Sequence, residues 1–338
     1  MPVTHQLKWA HGEATIVATA ATVIDTTFTV AGKPFKPFAR APWLGEYDDD
    51  QTVTGHLRVL SGDFIGLPFG STRGMRNSAA EWAPLFPAFR STHGAAADLD
   101  WTLVSGDTNS VTWSVDYPAD HEVVKIERVI SARADAPALD FVTRIFARRR
   151  AVTSFGIHPN LRFPDTPARL KLDADFAFGL THPGQTGLDG RHEFHSLTAV
   201  PKGDGNVDMS LVPLAEQTDK NVQLCGMKGP LTATWLDEGV AIELDWDREL
   251  IPSLMLWHTD RGIGGPPWFN RFRGIGTEPI ASAFDLPTEL SAGDNPINRR
   301  GVATVIAEKF GEVVRCGRSS YGSSRFGPAF ESAVITAK

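Results

Sequence analysis

The stretch HEVVKIERVIS, residues 121–131, decides the fold class. Val124, Ile126, Arg128 and Ile130 alternate with Val123, Lys125, Glu127 and Val129, and a two-residue period belongs to a strand with one face buried. The first set is the more apolar and is expected to face inward, with Arg128 as its charged exception. ARADAP follows, a turn-rich connection, and then ALDFVTRIFAR (138–148), so the two segments read as an antiparallel hairpin. Upstream, VTWSVDYP (111–118) has the same texture. Downstream, LTATWLD (231–237) and VAIELDWD (240–247) are joined by Glu238-Gly239, a tight-hairpin signal. SLMLWHT (253–259) and GVATVIAEKF (301–310) read as further strands.

Helical patterns are nearly missing. EWAPLFPAF (81–89) carries two prolines, each of which removes a helix hydrogen bond. No strand–helix alternation, no GxGxxG opening a helix and no fixed repeat is present. The turn-rich stretch at about 181–222 is expected to form long loops, and no linker divides the chain. The expectation is one all-β domain over residues 1–338, a large antiparallel sandwich with few short helices.

With 338 residues, 42% of them hydrophobic, the chain can bury a sizeable core. A formal charge of −7 argues against nucleic acid or an acidic membrane surface as partner. The one basic run, Arg148-Arg149-Arg150, is too short to change that. The N-terminal MPVTHQLKWAHGE has no apolar core of a signal, and no apolar run nears the roughly 20 residues that cross a bilayer. A cytoplasmic location is expected. Cys225 and Cys316 form no metal-ligand spacing.

Metal chemistry finds little support. His192 and His195 lack a third ligand, and GDGNVD (203–208) has Met209 and Ala215 where a calcium loop needs Gly and Glu. No GxSxG elbow supports a serine nucleophile. What remains is polar residues set among aromatics and glycines. In FGIHPNLRFPD (155–165), His158, Asn160 and Arg162 stand two apart, so in an extended chain they would share one surface. His93-Gly94 precedes Trp101. SLMLWHTDRGIGGPPWFNRFRGIGTEP (253–279) holds Trp257, Asp260, Trp268 and Glu278. Flat apolar rings beside paired donors and acceptors suit a pyranose, whose C–H faces stack while its hydroxyls need partners. Arg162, Arg271 and Arg273 could hold a phosphate.

These stretches resemble the aldose 1-epimerase (galactose mutarotase) family and its hexose-6-phosphate mutarotase relatives. The resemblance covers about residues 60–285 and rests on three short motifs in the family's order: the Gly/Pro/Arg-rich lead into His93-Gly94 with Trp101, then GIHPNLRF, then GIGTEP. It implies a galactose mutarotase-like β-supersandwich and an isomerase that interconverts α and β anomers of a hexose or hexose phosphate. By the same resemblance Glu278 is the general base, His158 the general acid, and His93 and Arg73 sugar ligands. Asp260 is the candidate for the family's sugar-binding aspartate, beside Trp257, Asn160 and Arg162. Asn160 and Leu161 depart from the aromatic residues that often follow the family's His-Pro. No cofactor or metal is implied. Ring opening needs one proton taken from the anomeric hydroxyl and one delivered to the ring oxygen, and two positioned groups can each contribute ~10²–10⁴-fold. Groups on opposite sides of a pyranose are expected about 5–8 Å apart. A non-catalytic carbohydrate-binding protein on the same scaffold is the alternative, since fold does not fix function.

Overall fold

The structure is a computed structural model, and the residues it describes are 3–48, 50, 52–53, 55–70, 93–148, 151–183, 192–308 and 313–325. Two antiparallel sheets dominate, one of eleven strands and one of nine, with two further two-stranded ribbons. Two α-helices occur among the described residues, Gly94–Asp98 and Thr288–Ala292, each a single short turn of five residues. Among the described residues no helix is long and apolar enough to cross a membrane.

The hairpin read from residues 121–148 forms as Val123–Ala132 against Ala138–Ala147, in the nine-stranded sheet. Ile126, Arg128 and Ile130 are fully buried. The alternation breaks at the start, where Val123 rather than Val124 turns inward. A register shift between Val123 and Lys125 accounts for it, because one extra residue in a strand swaps the faces beyond it. Arg128 finds partners for its two terminal nitrogens by reaching across to the other sheet. Its Nη2 pairs with the Asp63 carboxylate, its Nη1 donates to the Ala21 carbonyl at 3.2 Å, and its guanidinium lies 5.0 Å from the Phe141 ring centre.

Two expectations are corrected. GVATVIAEKF yields only the strand Ile306–Glu308, paired with Ala151–Thr153, and residues 301–305 are not extended sheet. The stretch at 181–222 is not loop throughout: Glu193–Phe194, Val200–Lys202, Gly205–Val207 and Leu211–Val212 are short strands. GDGNVD is the tip and second arm of one of these hairpins.

Five strands at the middle of the larger sheet position the site: β1 (Asp63–Gly66), β2 (Phe155–Leu161), β3 (Thr218–Met227), β4 (Ser253–Asp260) and β5 (Arg273–Ala281). They lie side by side in the order β1-β2-β5-β4-β3. One face supplies Ile157 and Leu161 of β2, Ile275 of β5, Leu254 and Leu256 of β4, and Val222 and Leu224 of β3. These join Ile126, Ile130 and Ile145 of the nine-stranded sheet in one apolar cluster. Each fully buried aliphatic side chain there contributes about 1.5–3 kcal/mol. The period of two then forces the intervening residues onto the sheet's other face, and those residues are largely polar.

Candidate functional site

The antiparallel register sets which polar residues meet. Gly156 pairs with Ile280 and Asn160 with Gly276, which places His158 opposite Glu278 on neighbouring strands. Phe64 lies opposite His158 on the other side, and Met255 opposite Glu278. In the next row Asn160, Gly276, Trp257 and Asn221 stand side by side across four strands. The floor of the site is therefore the centre of the sheet, where side chains are held between those of neighbouring strands.

His158 Nε2 and Glu278 Oε1 are 3.3 Å apart, but they are out of line for a hydrogen bond, and Glu278 Oε2 has no partner among the described residues. His158 is 4% exposed and Glu278 is fully buried. The separation is shorter than the 5–8 Å expected of groups across a ring, so the two line one floor instead of facing each other over a sugar. Glycine makes the contact possible. A Cβ on Gly276 would stand 2.2 Å from Glu278 Oε1 and 3.2 Å from the Trp257 Cβ. A Cβ on Gly156 would likewise strike the Phe69 ring at 2.3 Å.

Aromatic rings frame the pair. His158 stacks on Phe64 at 4.5 Å, and Phe64 stacks on His56 at 4.6 Å. Trp257 meets His158 edge-on at 5.7 Å and runs parallel to Phe272 at 6.0 Å. His93, at the head of the Gly94–Asp98 helix with a left-handed φ of 63°, brings its ring 5.4 Å from His158 and accepts the Gly70 N–H through Nδ1 at 3.3 Å. A non-glycine residue in that conformation costs about 1–3 kcal/mol and persists where its surroundings fix it.

Charge on the floor is suppressed. Burial, reinforced by nearby His56, pulls the His158 imidazole down to about 3. Burial, with His158 and His56 beside it, holds His93 well below the usual histidine range. Burial and the neighbouring Asp285 carboxylate push Glu278 well above the ordinary carboxyl range. All three groups thus favour their neutral forms.

The residues named from sequence separate into two groups. His158, Glu278, His93, Asn160 and Trp257 come together. Asn160 is fully buried, with its amide nitrogen donating to the His158 and Gly62 carbonyls. Asp260 and Arg162 do not join them. Asp260 has the opposite parity to Trp257 on β4 and forms a two-toothed pair with Arg273 at 2.9 and 3.2 Å. Arg162 lies beyond the end of β2, where the two-residue period no longer holds. It is paired with Glu238 at 2.6 and 2.7 Å and placed over Phe35 and Trp235. Arg271 is taken by Glu46 at 2.8 and 2.9 Å. Arg73 lies outside the described residues. Cys225 is free and buried.

The carboxylate on the site's face is Asp219 of β3, which accepts from Trp257 Nε1 at 2.7 Å and is raised by burial. Its signal was in the sequence: Asp219, Asn221 and Gln223 alternate with Val222 and Leu224. Asp285 and His182, joined at 2.8 Å, also escaped, because neither sits in a periodic pattern near the motifs. Among the described residues no group of three or more His, Cys, Asp or Glu is placed to hold a metal ion.

No protein-family model matches the chain, and no curated protein matches it. Solved structures do match in fold. The GalM/aldose epimerase homologue from C. elegans superposes with a TM-score of 0.64 at 14% identity, over 97% of this chain and 100% of that one. A galactose mutarotase-like protein from Lactobacillus casei gives 0.60 at 14%, over 95% and 100%. The galactose mutarotase related enzyme from Lactobacillus acidophilus gives 0.60 at 9%, over 98% and 100%. The chain has the galactose mutarotase-like fold across essentially its whole length.

Proposed function

We propose that this protein is an aldose 1-epimerase that interconverts the α and β anomers of a hexose. The single observation carrying the reading is the His158–Glu278 contact of 3.3 Å on the buried floor of a mutarotase-like sheet. The anomeric oxygen and the ring oxygen are bonded to the same carbon, so two adjacent groups on one floor can reach both. The neutral pair, Glu278 protonated and His158 not, becomes the ion pair by moving one proton within it. From that form, opening transfers the anomeric hydroxyl proton to the Glu278 carboxylate while the His158 imidazolium passes its proton to the ring oxygen. The C–O ring bond breaks and a carbonyl forms. After rotation about the bond to the aldehyde, Glu278 returns its proton to the carbonyl oxygen and the imidazole takes back the other as the ring closes on the opposite face. The pair alternates between two protonation states that share the same proton count, so neither bulk acid nor bulk base is consumed.

Aromatic surface at Trp257 supplies a stacking face for the C–H side of the sugar, and Asp219 and His93 supply polar partners for its hydroxyls. Arg73 is a further sugar ligand in this reading.

Anomer exchange measured by saturation-transfer NMR on several aldoses tests the proposal. Wild type is expected to accelerate exchange over buffer. Glu278→Gln and His158→Asn are each expected to lose about 10²-fold or more. A chain that binds sugar by calorimetry without accelerating exchange would instead be a carbohydrate-binding protein on this scaffold.

A further inference from the structure

A second carboxyl–imidazole pair flanks the floor. Asp285 follows Phe284, a fully buried residue held at a left-handed φ of 52°. The turn is clamped by Gln223 of β3, whose Oε1 accepts the Phe284 N–H at 2.6 Å and whose Nε2 donates to the Ser282 carbonyl at 2.9 Å. Asp285 Oδ1 is 2.8 Å from Nε2 of His182, a side chain 1% exposed, while the Asp285 side chain itself is 25% exposed. One carboxylate oxygen is thus fixed from behind on a rigid turn, and the group still opens to solvent. Its charge reaches Glu278, Asp219 and His93. Geometry ties the pair to the floor: a Cβ on Gly70, whose N–H reaches His93, would stand 3.1 Å from the Asp285 carbonyl carbon, and the His182 N–H donates to the Asn221 carbonyl of β3 at 3.1 Å. On that floor both oxygens of the fully buried Glu278 carboxylate lack a hydrogen-bond partner among the described residues, as expected of a group that a polar ligand completes.

We propose that Asp285, braced by His182, is a sugar-binding carboxylate of this cleft that accepts a substrate hydroxyl and selects neutral sugars over sugar phosphates. This rests on the sugar-site reading above. A carboxylate accepts hydroxyl hydrogen bonds well, whereas an anion brought beside it meets like charge in a poorly screened setting. Asp219, on the same face, is a second carboxyl group available to a hydroxyl. The three arginines that the sequence offered to a phosphate, Arg162, Arg271 and Arg273, are each paired with Glu238, Glu46 and Asp260 in turn.

The test compares glucose with glucose 6-phosphate, by exchange kinetics and by calorimetric titration, for wild type, Asp285→Asn and His182→Gln. Wild type is expected to favour glucose. Asp285→Asn should raise KM for glucose about tenfold, with a smaller change in kcat, and should narrow the preference against the phosphate by about tenfold. His182→Gln keeps the carboxylate but loosens its brace, and should move both quantities in the same direction by less. A folded Asp285→Asn with unchanged KM and unchanged preference overturns the proposal, as does a wild type that binds glucose 6-phosphate equally or better. Should wild type exchange no anomers, the activity reading falls while the titration still decides this one. Binding of glucose that exceeds binding of the phosphate and weakens in Asp285→Asn upholds it, and no binding of either ends it.

Discussion

His158 and Glu278 sit where each is driven away from its usual charge, and folding stability must record that. His158 falls from 6.5 unfolded to about 3 folded, so the unfolded chain binds the extra proton between those values and stability declines as pH drops through that window. Glu278 is raised, so its folded form binds the extra proton and stability declines as pH rises from 4.5 towards its folded value. His158→Asn is therefore expected to flatten the acid limb of a stability–pH curve between about pH 6.5 and 3, while Glu278→Gln should stabilise the protein more at pH 8 than at pH 4. Urea denaturation across pH checks both, and parallel curves for wild type and variants would contradict them. The same residue-level view explains the exchange of Asp260 for Asp219. Proximity to Trp257 in sequence suggested the former, but an odd spacing of three along a strand points the two side chains to opposite faces.

At the scale of elements, β5 depends on one missing side chain. Gly276 lies under the Glu278 carboxylate, and Gly276→Ala would put a methyl within 2.2 Å of Oε1. The carboxylate must swing away or the strand must shift, so exchange should fall about 10²-fold with a loss of about 1–3 kcal/mol in stability. Kinetics together with urea denaturation measure the two, and full activity in the variant would show that the observed carboxylate position is not required. The sequence made some of these elements plain. HEVVKIERVIS and SLMLWHT carry enough alternating residues for the period to show, and their strands form. The two- and three-residue strands between 193 and 212 are too short for any period to register, so their turn residues dominated the reading. The bulge after Val123 was equally hidden, since an unpaired residue is defined by its partner strand, which a local pattern does not contain.

For the molecule as a whole, the antiparallel sandwich was legible and the join between its sheets was not. Arg128 stood out only as a blemish in an apolar row, and its explanation, Asp63, lies 65 residues away in the other sheet. Removing one partner leaves a buried charge alone, so Arg128→Met is expected to cost about 3–5 kcal/mol, while Arg128→Met with Asp63→Leu should recover most of it. A thermodynamic cycle from urea unfolding checks the pair, and additive losses would show that no such coupling exists. Identities of 9–14% to structures sharing nearly the full length agree with this picture: the fold is retained while most residues are not. The pairing of β2 with β5 has one more consequence. The two side chains proposed to react come from positions 120 apart along the polypeptide, so no contiguous fragment ending short of either one contains both. A chain severed anywhere between them would be two silent halves, and any catalysis regained on mixing would report that the halves had found each other and zipped the central ladder in register.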